Sequence, residues 1–318
     1  MNGIPTRRRS RGGSALILVL LSVAVLSIAV MQHVALVQEE LRESALREAQ
    51  FRCQQLAESG ISIALLPGIT PGDPALDQQP GPGESISVQI RSESARLNIN
   101  QILRSNKAEV LERLFALWDV PDDEARTAAK ALHAWTHPDS LPESSTPTTT
   151  DPGAPASAPS PAMTRAFSSV GDMALLPEFE SVRQANPDWA ASFTIWGPGQ
   201  LDINEAAPEL IAALCEIPLS QAAAFTERRA GPDRLPFTPD DIRYTSLPEA
   251  LAALGLATAA SPPAGAGAPA TPLTAFLTIT TAFRRIVSIG ALPYHTRAVH
   301  AIARLDAGTS SAVLEWQE

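Results

Sequence analysis

Between residues 12 and 38 the chain carries no Asp, Glu, Lys or Arg, and this gap constrains the fold more than any other feature. The run SALILVLLSVAVLSIAVM, with its flanks, is long enough as a helix to cross a hydrocarbon layer of roughly 30 Å. Arg7, Arg8, Arg9 and Arg11 precede it, and Glu39 and Glu40 follow. The positive-inside bias therefore puts the short leader in the cytoplasm and the rest of the chain across the membrane.

A cleaved secretory signal would also show a basic leader and an apolar run. It would not explain what comes next. No proline interrupts the helical pattern until Pro67, and Leu41, Ala45, Ala49, Cys53, Leu56, Gly60 and Ala64 recur at spacings of four and three. Those spacings set small and apolar residues on one face of a single helix. A continuous helix over residues 14–66 would be roughly 80 Å long at 1.5 Å per residue. Its first part, residues 14–37, reads as the membrane half, and residues 38–66 read as an amphipathic stem.

Beyond the turn signal PGITPGDP, alternation in ESISVQIR and ARLNIN predicts strands over residues 84–91 and 95–100. Helical patterns follow in QILRSNKAEVLERLFALWDV and in PDDEARTAAKALHAW. There Pro121, followed by Asp122, Asp123 and Glu124, suits a first turn by its fixed φ and by the helix dipole. Residues 140–162 contain 20 Ser, Thr, Pro, Gly or Ala out of 23, a composition without the apolar side chains needed to offset ordering, and read as a disordered loop. After it come short helices near residues 170–176, the strand-like SFTIWGPGQLDIN, a helical pair in APELIAALCEI and SQAAAFTERR, and a further helical stretch in PFTPDDIRYTSLPEALAAL. Residues 257–272 form a second linker. AFLTITTAFRRIVSI, HTRAVHAIARLD and SAVLEWQE then predict an antiparallel meander.

These features together resemble the K-type minor pseudopilins (the GspK family) of bacterial type II secretion systems. RRRSRGG before SALILVLL resembles a prepilin peptidase site, which in that family is cut after the glycine, here Gly13, with the new terminus, Ser14, then N-methylated; Gly12 is the alternative cut. Most pilin-like subunits carry a glutamate at the fifth mature position, and here that position is Leu18. K-type members resemble this chain in lacking it, and a carboxylate in lipid is costly unless paired, so the absence fits a subunit with none above it, at the filament tip. ARLNINQIL, GQLDINEAAPELIAAL and VLEWQE are similar to the family's strand-end and closing-strand segments.

The resemblance implies an α+β fold with a long N-terminal helix and an antiparallel sheet head carrying an inserted helical domain. Residues 1–13 are then the leader, 67–100 and 273–318 the pilin-like head, and 101–256 the insertion. It further implies an inner-membrane protein with a periplasmic head, whose partners are the prepilin peptidase and the I-type and J-type minor pseudopilins. The implied role is starting pseudopilus assembly and supporting protein export across the outer membrane. Calcium is a family ligand near a segment like ALHAWTHPDS and requires hard oxygen ligands. Here His133 and His137 stand where acidic residues are usual, leaving Asp139 and Glu143, so no ligand set is assigned. Two alternatives stay open: a minor pilin of a related pilus or competence apparatus, and a periplasmic binding module on a single-span anchor.

Other chemistries find little support. Residues 14–318 carry 20 basic and 34 acidic groups, and a net charge of −14 repels phosphate backbones. GQLDINEAAPELIAALCEIPLSQAAAFTERR also looks like a helix-hairpin-helix. Its connection has no glycine, however, and contains Pro218, which lacks an N–H for an anion. His133 and His137 have a helical metal spacing but no third ligand pattern. His33, His295 and His300 are scattered, no G-x-S-x-G or phosphate-binding glycine loop is present, and the expectation is a protein that is not an enzyme. Cys53 and Cys215 allow one bridge; two buried free thiols are the plainer reading.

Overall fold

The computed structural model describes residues 12–136, 165–238, 240–256, 273–304 and 312–317. A 53-residue helix, α1 (Gly12–Ala64), runs without a break through the apolar run and the stem. No proline or turn residue interrupts it, and Pro67 follows its end within three residues.

α1 ends on a five-stranded antiparallel sheet. Its strands are β1 (Asp77–Gln78), β2 (Ser85–Ser92), β7 (Phe283–Leu292), β8 (His295–Arg304) and β9 (Ala312–Gln317), in the order β1-β2-β7-β8-β9. Alternation in β2 turns Ile86, Val88 and Ile90 toward α1, where they join Leu56, Ala57, Ile61 and Ala64 of the helix in one core. Residues 95–100, expected to be a strand, are mostly not one. A 3-10 turn (Glu93–Ala95) leads to a two-residue strand, β3 (Leu97–Asn98), and at once to α2 (Ile99–Arg104). The Asn98 side chain accepts a hydrogen bond from Gln101 N at 3.1 Å. That cap starts a helix where alternation alone suggested extended chain.

α3 (Ala108–Leu117) and α4 (Asp122–Thr136) follow, with the first turn of α4 opening at Pro121 as its acidic residues predict. Asn106, at φ 53°, separates α2 from α3, so the single helical stretch read there is two helices. A 3-10 segment (Val170–Leu175) and α5 (Glu180–Ala185) lead to β4 (Phe193–Thr194), which pairs in parallel with β3. β5 (Leu201–Asp202) precedes α6 (Pro208–Cys215) and α7 (Leu219–Arg229). Of PFTPDDIRYTSLPEALAAL only α8 (Leu247–Ala253) is helical. Upstream, Asp241 accepts from Phe237 N at 2.7 Å and holds a turn instead. β6 (Leu277–Thr278) pairs in parallel with β5. β7 (Phe283–Leu292), β8 (His295–Arg304) and β9 (Ala312–Gln317) form the expected meander, and β2 joins it through β7.

A second core gathers the helices. Phe115, Phe179 and Phe193 are fully buried there with Leu103, Leu111 and Leu132. Two asparagine motifs hold its entry and exit. Asn98 Nδ2 donates to the carbonyls of Trp196 and Gly197 at 3.1 and 3.0 Å, and Asn100 exchanges two bonds with the Phe167 backbone at 2.8 and 3.0 Å. In the second motif, Asn204 Nδ2 donates to the carbonyls of Tyr244 and Ile279, and its Oδ1 accepts from Tyr244 N at 2.9 Å. A side-chain amide both donates and accepts, which lets one residue tie irregular chain on two sides.

Candidate assembly surface

Residues 16–48 of α1 are all exposed. Fifteen large apolar side chains between positions 16 and 37 stand on that surface, Leu18 among them at 68% exposure. A helix that is hydrophobic all round needs an apolar surrounding, and among the described residues this is the one helix long and apolar enough to cross a membrane. Gly12, Gly13 and Ser14 lie in its first turn.

The stem stripe is divided. Cys53, Leu56, Gly60 and Ala64 are buried on the sheet, Ala49 is half-buried, and Leu41 and Ala45 are exposed. The head thus covers the last four members and leaves the first two open, together with Leu46 and Phe51.

Two glycines set how closely helix and sheet approach. A Cβ on Gly290 of β7 would overlap the Cys53 carbonyl and lie 2.7 Å from Ala57 N; one on Gly60 would overlap Ser288 Oγ and sit 2.8 Å from methyls of Ile86 and Val88. Outside this seam, Arg52 forms a two-point pair with Glu84 at 2.8 and 2.9 Å. The Arg52 hydrogen bond holds the Glu84 carboxyl below its usual value. Sequence reading placed Gly60 on the stripe but missed Gly290, whose signal was a glycine inside the alternating strand IVSIGAL.

The sheet's other face meets the helical core through buried charge. Glu205 Oε2 accepts from Ser92 N at 2.8 Å, with Arg243 3.7 Å from the other oxygen. Burial pushes both Glu205 and nearby Asp202 up from ordinary carboxylate values. Arg229, 8% exposed, donates to the Ile203 carbonyl at 2.8 Å. Trp196 Nε1 donates to Glu315 at 2.6 Å, tying the helical part to β9.

The remaining candidate residues do not converge. His133 lies in the last turn of α4, while His137, Asp139, Glu143 and the loop 140–162 lie outside the described residues, as do the linker 257–272 and leader residues 1–11. Among the described residues no three His, Cys, Asp or Glu side chains are grouped to hold a metal. Cys53 and Cys215 are both free and buried. Cys53 Sγ donates to the His295 carbonyl at 3.4 Å in the sheet core, and burial in α6 pushes the Cys215 thiol up to about 12. The α6–α7 connection turns through Glu216 at φ 58°, paired with Arg113 at 3.1 Å, and presents no glycine turn to an anion.

No protein-family model matches the chain, and no curated protein matches it in sequence. Among solved structures, the fold is similar to a chain of the GspK-GspI-GspJ complex from the enterotoxigenic Escherichia coli Type 2 Secretion System. The TM-score is 0.51 at 15% identity, over 88% of this chain and 97% of that chain. The architecture is that of an α+β, pilin-like protein: one long N-terminal helix, an antiparallel sheet and further helices.

Proposed function

We propose that this chain is a K-type minor pseudopilin that caps the type II secretion pseudopilus, starts its assembly and supports export across the outer membrane. The observation that carries the reading is the division of α1: its C-terminal turns are built into the head, while residues 16–48 have no cover among the described residues. Leaving that apolar half in water would cost on the order of 20 kcal/mol, at roughly 25 cal/mol per Å². Lipid first and neighbouring stem helices afterwards are surroundings that remove the cost.

On this reading the prepilin peptidase cuts after Gly13, Ser14 becomes the methylated terminus, and the helix stands in the inner membrane with the head in the periplasm. The I-type and J-type minor pseudopilins pack on the open stripe around Leu41 and Ala45. Leu18 in place of a carboxylate removes the charge that would pair with the terminus of a subunit above. The helical part then obstructs that position sterically. The role is assembly rather than catalysis.

Intact-mass measurement of the membrane-extracted protein tests the processing. The expected species lacks residues 1–13 and carries one added methyl group; retention of the leader overturns that part. Deletion of the gene tests the role, with loss of secreted hydrolases expected and undiminished secretion refuting it. Co-purification with pilus subunits instead of secretion pseudopilins would move the assignment to a related pilus.

A further inference from the structure

We infer that a parallel stem helix bearing basic side chains docks along the face of α1 turned away from the sheet. The inference rests on the pseudopilin reading above and names the chemistry of the neighbour. From Val30 to Glu58 one ridge of α1 advances in alternating steps of four and three residues, the 3.5-residue average with which parallel helices wind about one another. Its lower part is apolar: Val30, Val34, Val37 and Leu41 are 40% to 64% exposed. Its upper part carries Ser44, Glu48, Phe51, Gln55 and Glu58.

Phe51 fixes where the ridge lies. At 3.6 residues per turn it stands about 160° round the helix from Cys53, which the sheet buries completely. The head therefore leaves this side of the stem open even where it covers the other, and Phe51 is 62% exposed. It also stands beyond the reach of lipid, since the 14 residues from Val37 to Phe51 rise about 21 Å as helix. Aromatic side chains in such positions are enriched at protein contacts.

Charge selects the occupant. The arginines of the stem are engaged within the chain: Arg42 with Glu39 at 3.7 Å, Arg47 with Glu43 at 2.9 Å and Arg52 with Glu84 at 2.8 Å. Among the described residues no cation pairs with Glu48 or Glu58; Glu58 accepts from the neutral Gln54 at 3.0 Å. Whatever covers the ridge must bring positive charge, because a carboxylate taken from water without a partner is costly. An anionic lipid surface repels these glutamates. A second copy of this chain in register sets Glu48 against Glu48 and Glu58 against Glu58. A different stem, with Lys or Arg facing the two glutamates and small side chains facing Phe51, meets every requirement.

The test puts photoreactive p-benzoylphenylalanine in place of Phe51 in the full chain, cross-links in the native host and sequences the adducts by mass spectrometry. The expected adduct is to the stem helix of a different pilin-like subunit, with a Lys or Arg within about one turn of the linked position. Glu48→Lys combined with Glu58→Lys lowers its yield at least about tenfold, because like charges across an interface are costly. Gln50→Lys, exposed but off the ridge, leaves the yield within about twofold, its charge being screened by solvent. No adduct, an adduct to lipid, to a second copy or to a stem without such a basic residue, or a yield indifferent to the charge reversal would each overturn the ridge. The same probe in place of Ala45 separates this inference from the reading beneath it. Adducts to pseudopilin stems from Ala45 but not from Phe51 remove the ridge and leave the pseudopilin assignment standing; adducts from neither remove both.

Discussion

Gly290→Ala tests the helix-on-sheet seam most directly. Gly290 sits in regular strand backbone without a positive φ, so alanine would on its own account stabilise by about 0.4–1 kcal/mol through the unfolded chain. The new methyl, however, meets main chain. It overlaps the Cys53 carbonyl, lies 2.7 Å from Ala57 N and 2.8 Å from Leu56 Cβ. Helix backbone cannot rotate aside as a side chain does, so α1 must retreat by about 1 Å, loosening Leu56, Ala57 and Ile61 on β2 and β7. Overpacking of this type costs about 1–3 kcal/mol, and rigid obstacles on both sides put it at the upper end. The net expectation is a loss of about 2 kcal/mol. In hydrogen exchange read by mass spectrometry, that is about a 30-fold loss of amide protection in peptides covering β2 and β7. Ile289→Ala, one residue earlier on the opposite, partly exposed face, serves as control with at most a few-fold change. Full protection in Gly290→Ala would refute the argument that close approach dictates glycine here.

Three further outcomes follow from the buried groups. Glu205→Ala leaves Ser92 N without its acceptor and costs about 1–3 kcal/mol in denaturant titration. Glu205→Gln keeps an acceptor, removes the charge, and flattens the pH dependence. Burial raises the folded-state values of Glu205 and Asp202, so their contribution is fully present below the ordinary carboxylate range and is lost as pH rises through the raised values. The unaltered chain should accordingly gain stability from these groups on acidification from neutral pH toward the ordinary carboxylate range, and Glu205→Gln should show less of that gain; an identical slope refutes the assignment. Cys215, with its thiol at about 12, should stay unmodified by a thiol reagent at pH 8 in the folded protein and react on unfolding; rapid labelling of the folded chain would contradict its burial. Trp196→Phe removes the 2.6 Å bond to Glu315 and should cost about 1–3 kcal/mol, seen as faster exchange in β9.

Legibility from sequence varied with how local the governing interactions are. α1 and α4 could be read because periodicity, the absence of proline and the acidic first turn all lie within the segment. β7 and β8 could be read from long alternation. Residues 95–100 could not, because the decisive event is an asparagine side chain capping a backbone N–H, which overrides alternation. The two-residue strands β3 to β6 are parallel pairings between distant segments such as Leu97 and Phe193, and no local pattern announces them. The assembly surface was legible as a stripe, but where the head stops covering it was not, since Ala45 and Ala49 look alike in sequence and differ only in what the sheet reaches.

The interlocked glycines have a mechanical consequence. Because Gly60 and Gly290 let helix and sheet backbones touch, the sheet grips α1 as a socket grips a shaft, with little room to slide or twist. The free length beyond that socket, residues 12–52, is about 60 Å. A tilt of about 10° at the socket therefore carries the far tip sideways by about 10 Å, the width of a neighbouring helix. The orientation of the head is thereby coupled to which neighbour the shaft's far end can meet.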